Sequence, residues 1–218
     1  TPDEAWLLAD TVMIVPDGSI VVNAALRQPD VSPPEVSFTS GPAYWINTAS
    51  AGFTWNGSDD ITPADSLTYS YRLDEGAWTA YAADTSCTWP GLDEGIHTFS
   101  VRAKDNADNV SEPMVREFGV DMTPPDITGA PTGEATAYGW YNSDVTIRFY
   151  ASDSLSGLAE VTPDTVITTE GADLAAVGTA VDLAGNESSC AVEGINIDKT
   201  PPVITVSSPA ESGSYELN

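Results

Sequence analysis

The chain has 218 residues, which is enough for one large or two medium domains, since compact domains usually contain about 100–200 residues. Its 33 Asp and Glu against 7 Lys and Arg give a formal net charge of -26, which repels phosphate backbones and excludes nucleic acid as a partner. Apolar residues make up 41% of the sequence, enough for packed cores. No apolar run approaches the roughly 18 residues of a membrane helix, so we expect no membrane insertion within this sequence.

The first 30 residues predict a short β-hairpin. Two apolar runs, Val12–Val15 and Ile20–Asn23, flank the turn residues Pro16-Asp17-Gly18, and this pattern is typical of two strands joined by a tight turn. We expect residues 1–30 to be the C-terminal tail of a preceding, different unit. The first ten residues hold no basic or long apolar stretch, so we expect any signal peptide to be removed or to lie upstream.

A proline-rich string divides the rest of the sequence. The pattern Asp-x-Ser/Thr-Pro-Pro occurs at Asp30–Pro34, Asp121–Pro125 and Asp198–Pro202. Consecutive prolines lack amide donors and hold the chain extended, which suits a stiff connector before a first edge strand. The sequence therefore predicts a boundary between structural units at each of these three strings.

Other landmarks repeat between the connectors in the same order. Trp45-x-Asn47 corresponds to Trp140-x-Asn142, and Ala103–Asn109 corresponds to Ala180–Asn186. Such self-similarity is typical of consecutive structural units. The predicted units are a first module at residues 31–121, a second at residues 122–198, and at residues 199–218 the first strand (Val203–Ser207) of a truncated third.

Within both modules apolar and polar residues alternate, which is the period of a β-strand with one buried face. Turn signals such as Asp74-Glu75-Gly76 and Asp93-Glu94-Gly95 separate these runs, and no segment shows a helical stripe with caps. The predicted fold class is therefore all-β. The predicted inward residues include Phe53, Trp55, Leu67, Tyr69, Tyr71, Phe99, Val101, Val145, Ile147 and Phe149.

The stretch from Leu92 to Asp105 resembles the E–F corner and F strand of fibronectin type III-like and bacterial immunoglobulin-like domains. In that family a Tyr normally opens strand F and anchors the corner through its hydroxyl, and His97 occupies this place here. Trp55 matches the inward Trp of strand B. The second module, from Gly139–Val145 to Ile197–Pro202, is similar to the tandem immunoglobulin-like repeats of large bacterial surface proteins. The resemblance implies tandem immunoglobulin-like (fibronectin type III-like) β-sandwiches in an extended arrangement.

Residues suited to catalysis are scarce. His97 is the only histidine and lies in a strand that faces the core, so we expect a structural role. Cys87 and Cys190 fall in different modules and in alternating strands, which indicates two core residues without an intradomain disulfide. With no Cys/His cluster for zinc and no Gly-rich phosphate loop, we predict that the chain is not an enzyme and requires no cofactor.

Carboxylates concentrate in loops that the resemblance places together. In an immunoglobulin-type sandwich, the start of strand A lies at the same end as the B–C and F–G loops, so each connector Asp is expected near two loop aspartates of the module that follows. Converging carboxylates repel each other, and calcium is a hard cation whose oxygen ligands would relieve that repulsion. The candidate calcium ligands at the module junctions are Asp30, Asp59 and Asp105, with Asp60, Asp108 or Asn109 as auxiliaries, and Asp121, Asp153 and Asp182.

The same loops have a second interpretation that needs no metal. The run Asp182-Leu-Ala-Gly185-Asn186 suits a tight hairpin, because Asp accepts backbone amides and Gly or Asn adopts positive φ. The run Asp105–Asn109 has the same features. At the level of sequence both interpretations stay open.

The predicted function is that of non-catalytic spacer or stalk modules in an extracellular or cell-surface bacterial protein, adhesin-like, with the neighbouring domains of the same polypeptide as partners. Six tryptophans keep open a glycan- or host-protein-binding module, in which Trp45 or Trp140 would stack on a sugar. A further alternative is an accessory domain of a carbohydrate-active enzyme. An exposed aromatic patch would favour recognition, whereas a uniformly polar surface would favour the spacer.

Overall fold

The computed structural model describes residues 9–14, 20–24 and 29–205, and for the first two ranges it describes the backbone alone. The chain divides into two compact units. Two loops, Ser154–Gly157 and Asp182–Asn186, are grouped with the first unit, which otherwise ends at Pro124. The second unit comprises Pro125–Asp153, Leu158–Val181 and Glu187–Asn218.

The first two strands form an antiparallel pair. Strand β1 (Ala9–Ile14) pairs with β2 (Ile20–Ala24), with Val12 opposite Val22 and Ile14 opposite Ile20. The predicted turn Pro16-Asp17-Gly18 lies outside the described residues.

Seven strands build the first module. They are β3 (Glu35–Ser40), β4 (Trp45–Ile46), β5 (Ser50–Ser58), β6 (Thr68–Leu73), β7 (Ser86–Pro90), β8 (Gly95–Lys104) and β9 (Met114–Val120). One sheet has the order β3-β5-β7 and the other β4-β9-β8-β6. The short β4 runs parallel to β9, whereas the longer pairs are antiparallel.

Aromatic side chains fill the first core. Phe53 and Phe99 stack with ring centroids 3.9 Å apart, and Trp55 lies 6.0 Å from Phe99. All three rings are at most 2% exposed, which confirms the predicted inward face. At the edge of this core the ring of Trp45 lies on the backbone of Gly119, where an added Cβ would come within 2.2 Å of it. The close approach of β4 to β9 therefore requires glycine at this position.

The second module repeats the same strand order. Its strands are β10 (Asp126–Pro131), β11 (Trp140–Tyr141), β12 (Val145–Ser152), β13 (Leu158–Val161), β14 (Thr165–Ile167), β15 (Gly171–Asp182) and β16 (Glu187–Ile197). The two sheets are β10-β12-β14 and β11-β16-β15-β13, with β11 parallel to β16. Both modules are immunoglobulin-like sandwiches.

The second core is smaller and more aliphatic. Val145, Ile147 and Phe149 line it from β12, each at most 7% exposed, and Ile195 and Ile197 cover it from β16. These positions confirm the alternation predicted from the sequence. Regular helix is limited, in the described part of the chain, to one 3-10 turn at residues 64–66.

Two predictions need correction. Cys87 packs against the first core as expected, but Cys190 is half-buried and does not belong to the second core cluster. Its partner across the ladder is Gly178, which has no side chain to cover it. In the predicted third-module strand Val203–Ser207, residues 203–205 form no strand, and residues 206–207 lie outside the described residues.

Candidate cation sites and connector contacts

Three carboxylates meet at the start of the first module. Asp30 precedes β3, Asp59 follows β5 and Asp105 follows β8, and one oxygen from each lies within 4.8 Å of the others. The strand order places these three chain segments at the same end of the sandwich. Three acidic oxygens at this spacing form a set that suits a divalent cation with oxygen ligands.

Asp105 is held in place by the loop that it begins. Its Oδ1 accepts hydrogen bonds from the amides of Ala107 and Asn109, both at 2.8 Å, and its Oδ2 accepts one from Asn109 Nδ2 at 2.8 Å. Asn109 Nδ2 also donates to the carbonyl of Asp30 at 3.2 Å. The asparagine therefore links the connector to the loop, and the turn chemistry expected from the sequence is present beside the carboxylate cluster.

Two oxygens of this cluster are buried without a hydrogen-bond partner. Asp30 Oδ1 accepts the Ser32 amide, but Asp30 Oδ2 has no partner; Asp59 Oδ2 accepts the Ile61 and Thr62 amides, but Asp59 Oδ1 has none. A buried carboxylate oxygen without a donor is costly. These two oxygens, Asp30 Oδ2 and Asp59 Oδ1, are therefore available to a bound cation.

The pKa of Asp30 reflects the same conflict. Burial raises it, the hydrogen bond from the Ser32 amide lowers it, and the charges of Asp59, Asp105 and Asp60 raise it further, so that the pKa lies above its ordinary value of 3.8. A bound cation would reverse this direction, because it stabilises the charged form.

A second cluster repeats the first. One oxygen each of Asp121, Asp153 and Asp182 lies within 4.8 Å of the others, and Asp121 and Asp182 are 0% and 1% exposed. Asn186 Nδ2 donates both to the Asp121 carbonyl at 2.8 Å and to Asp182 Oδ2 at 2.7 Å, as Asn109 does in the first cluster. Asp121 Oδ2 also accepts the amide of Ser156 at 2.9 Å, and the buried hydroxyl of Ser156 has no hydrogen-bond partner.

The three auxiliary residues make different contacts. Asp60 accepts the hydroxyl of Ser32 at 3.3 Å, and Asn109 acts as a donor within the loop. Asp108 is not part of the cluster, because it forms an ion pair with Lys104 at 2.8 Å. The hydrogen bond from Lys104 lowers the pKa of Asp108.

Two glutamates that the sequence did not single out contact the connectors. Glu94 accepts hydrogen bonds from Met122 and Thr123, and Glu170 accepts them from Lys199 and Thr200. Both glutamates precede a glycine at the start of a long strand, and this repeated Glu-Gly pair is the signal in the sequence that could have revealed them.

The outer face of the first module carries a cluster of cations and aromatic rings. The guanidinium groups of Arg102 and Arg72 lie 4.2 Å and 4.8 Å from the centre of the Trp78 ring, and Lys104 lies 5.0 Å from the Tyr81 ring. Among the described residues, no carboxylate forms an ion pair with Arg72 or Arg102. Within the described ranges, Arg72 and Arg102 are therefore positive charges without an ionic partner on an acidic molecule, whereas Lys104 is paired with Asp108.

The two tryptophans considered for sugar stacking differ in their surroundings. Trp45 is half-buried against Gly119, whereas Trp140 is 39% exposed. Of these two residues, Trp140 is therefore the more exposed.

No protein-family model and no curated protein sequence matches this chain. Among solved structures, it is similar to the fibronectin(III)-like modules of CbhA from Clostridium thermocellum, with 12% identity, a TM-score of 0.45, and coverage of 79% of this chain and 100% of that chain. A 1.5-MDa bacterial ice-binding adhesin matches with 13% identity and a TM-score of 0.40 over 78% of this chain and 67% of that chain.

A third similar structure is SGBP-B of the mixed-linkage glucan utilization locus of Bacteroides ovatus, with 12% identity, a TM-score of 0.30, and coverage of 77% of this chain and 48% of that chain. Identities and TM-scores this low do not indicate a function. The function is therefore inferred from the geometry of the chain itself. Among the described residues, no helix is long and apolar enough to cross a membrane.

Proposed function

We propose that this chain is a non-catalytic spacer of a secreted or cell-surface protein, and that calcium bound at the start of each module stiffens its connectors. The observation that supports this most directly is the recurrence of one arrangement: a connector aspartate, two loop aspartates and a bridging asparagine. Turn formation alone would not require the connector aspartate to join the loop carboxylates.

The free energy expected from calcium binding suits the stiffening of a connector better than a role as a cofactor required for folding. Extracellular sites bind calcium with dissociation constants of about 0.1–1 mM. At about 1 mM calcium and a dissociation constant near 0.1 mM, the linkage contributes about 1.4 kcal/mol to stability. Each module has its own packed core, so a contribution of this size stiffens a connector without being needed for folding.

Calcium is expected to raise the melting temperature. After removal of metal with a chelator, we expect 1 mM calcium to raise the transition of the first module by on the order of 5–10 °C. Asp59→Asn removes the charge of a carboxylate whose Oδ1 has no hydrogen-bond partner and should abolish the rise, whereas Asp84→Asn, which changes an exposed aspartate outside the cluster, should retain it. Asp121→Asn combined with Asp182→Asn tests the second cluster.

Differential scanning calorimetry measures these melting transitions, and two results would contradict the proposal. One is a wild-type protein whose transitions do not respond to calcium. The other is an Asp59→Asn variant that responds as fully as the wild type. Magnesium serves as the control ion, because it gives up its water ligands reluctantly and suits such clusters less well.

A second candidate function is recognition of an anionic ligand on the outer face of the first module. It is favoured by the unpaired guanidinium groups of Arg72 and Arg102 beside Trp78, since arginine and aromatic side chains are enriched in binding sites. A glycan array separates the two functions: binding that Arg72→Ala with Arg102→Ala abolishes would support recognition. Arg148→Ala is the matched control, because Arg148 is paired with Asp164 on the other module.

A further inference from the structure

The connectors begin as ordered continuations of the modules that they leave. The amide of Asp121 donates to the carbonyl of Ile46 at 2.9 Å, and the amide of Asp198 donates to the carbonyl of Tyr141 at 2.9 Å. In each case the bond extends the parallel pairing between a short strand (β4 or β11) and the last strand of the module. The first residue of each Asp-x-Thr-Pro-Pro string therefore directly follows the last strand and is hydrogen-bonded to the short strand at the sheet edge.

In the first module one carboxylate oxygen holds the next two residues of the connector. Glu94 Oε1 accepts the amide of Met122 at 2.8 Å and the hydroxyl of Thr123 at 2.8 Å. The amide of Thr123 in turn donates to Asp121 Oδ1 at 3.0 Å. Hydrogen bonds to a charged acceptor are stronger than neutral ones, so this contact is well suited to ordering a short segment.

The second module contains the same three contacts. Glu170 Oε1 accepts the amide of Lys199 and, at 3.3 Å, the hydroxyl of Thr200, while the amide of Thr200 donates to Asp198 Oδ1 at 2.9 Å. Two modules with different core residues thus hold their connectors by the same contacts. The recurrence separates this arrangement from an incidental surface contact.

The turn before each long strand places the glutamate beside the connector. The glycine after each glutamate has positive φ, +134° at Gly95 and +157° at Gly171, which other residues rarely adopt. The Glu-Gly pair therefore turns the chain into strand β8 or β15 and leaves the carboxylate beside the connector.

We propose that Glu94 and Glu170 are positioning residues that fix the direction in which each connector leaves its module. The two residues that they hold supply the last amide donors before Pro-Pro, since proline has none. Because Pro-Pro is stiff, any angular freedom at the residues before it is carried along the connector. A fixed connector direction is useful to the protein under the proposed spacer function, on which this inference rests. The contact between glutamate and connector itself does not depend on calcium.

This proposal also supplies a sequence signature. Glu-Gly is followed by Asp-x-Thr-Pro-Pro, with Glu94 leading to Asp121 and Glu170 to Asp198. We expect modules of other proteins that combine these two strings at a similar spacing to hold their connectors in the same way.

Amide exchange and nitrogen relaxation test the first contact in metal-free buffer, which keeps the outcome separate from that of the calcium proposal. In Glu94→Ala, the amide of Met122 is expected to exchange at least about tenfold faster, as loss of a charge-assisted bond implies. The order parameters of Met122 and Thr123 should fall from about 0.85 toward about 0.6. Glu94→Gln keeps the acceptor oxygen and should retain most of the protection.

Glu75→Ala is the matched control, because Glu75 also precedes a glycine in an exposed turn of the same module but makes no hydrogen bond or ion pair within the described part of the chain. The melting temperature of every variant should stay close to that of the wild type, since Glu75 and Glu94 are both exposed. Unchanged exchange and order parameters in Glu94→Ala would overturn the proposal. It would also fail if Glu75→Ala produced the same change, or if Glu94→Gln behaved like Glu94→Ala.

Discussion

At the residue scale, His97 takes the place that a tyrosine normally holds at the corner of this fold. Its Nε2 lies 2.9 Å from the carbonyl oxygen of Asp93, and its Nδ1 lies 3.0 Å from Asp74 Oδ2. Asp74 Oδ1 accepts the amide of Thr98 at 2.8 Å. The histidine therefore anchors the corner to the backbone, as the tyrosine hydroxyl does, and adds a tie to the turn at Asp74.

These contacts favour the protonated form of the imidazole. Both partners are acceptors, and only the doubly protonated ring can donate to both. Burial lowers the pKa of His97, whereas the hydrogen bonds to the Asp93 carbonyl and the Asp74 carboxylate, together with the charges of Asp74 and Asp93, raise it. The net effect is a pKa above the ordinary value of 6.5.

The stability of the first module should therefore depend on pH around neutrality. A raised pKa in the folded state contributes stability that is fully present below about pH 6.5 and is lost as the pH rises through the folded-state value. Denaturant unfolding of the wild type between pH 5.5 and 8.5 should show this decline. Because His97 is the only histidine, His97→Gln should flatten the curve in this range. A variant that keeps the wild-type slope would show that the histidine is not its source.

At the element scale, the segment after β6 is attached to the sheet by backbone and side chains together. The amide of Thr79 donates to the carbonyl of Tyr71 at 3.0 Å, and Tyr69 and Ala82 exchange two hydrogen bonds of 2.7 and 3.0 Å. The ring of Trp78 then lies beside the guanidinium groups of Arg72 and Arg102, which project from β6 and β8. The tryptophan thus links the segment to two strands of the sheet.

Trp78→Ala should destabilise the first module by about 1–3 kcal/mol, through the loss of two cation–π contacts and of packing on the arginine side chains. Chemical denaturation followed by circular dichroism measures the change. Trp140→Ala, which removes a partly exposed ring from the second module, should leave the stability of the first module unchanged. A Trp78→Ala protein as stable as the wild type would show that the backbone bonds alone hold the segment.

At the scale of the whole molecule, the two cores share no residue. The first contains Leu67 among its buried side chains, and the second contains Ile147. Each of these side chains is at most 2% exposed, so truncation leaves a cavity in one core only. The two modules should therefore unfold in separate transitions.

Leu67→Ala and Ile147→Ala test this independence. Each is expected to destabilise its own module by about 2–5 kcal/mol, and each should shift only one transition in differential scanning calorimetry. If either substitution lowered both transitions equally, the modules would have to unfold as one cooperative unit.

The inward faces of β5, β6, β8 and β12 were predictable from the sequence, because burial on one side of a strand requires apolar residues at alternate positions. The meeting of Asp30, Asp59 and Asp105 was also anticipated, since a recognised sandwich topology places their loops at one end. The hydrogen-bond or ion-pair partner of each carboxylate oxygen was not predictable from the sequence. Asp108, one of the predicted auxiliary ligands, pairs with Lys104 in the structure, and this pairing depends on how the loop closes.

The sequence by itself determined the all-β class and the inward residues, since these follow from the two-residue period of a strand and from local turn chemistry. Only the tertiary structure decided which donors reach which carboxylates. Glu94 lies 28 residues from Met122, and the Glu-Gly pair does not by itself show which amide the carboxylate reaches, so its contact with the connector follows from strand order and register. Hydrogen bonds are short and directional, and their partners are therefore set by three-dimensional placement rather than by residue type.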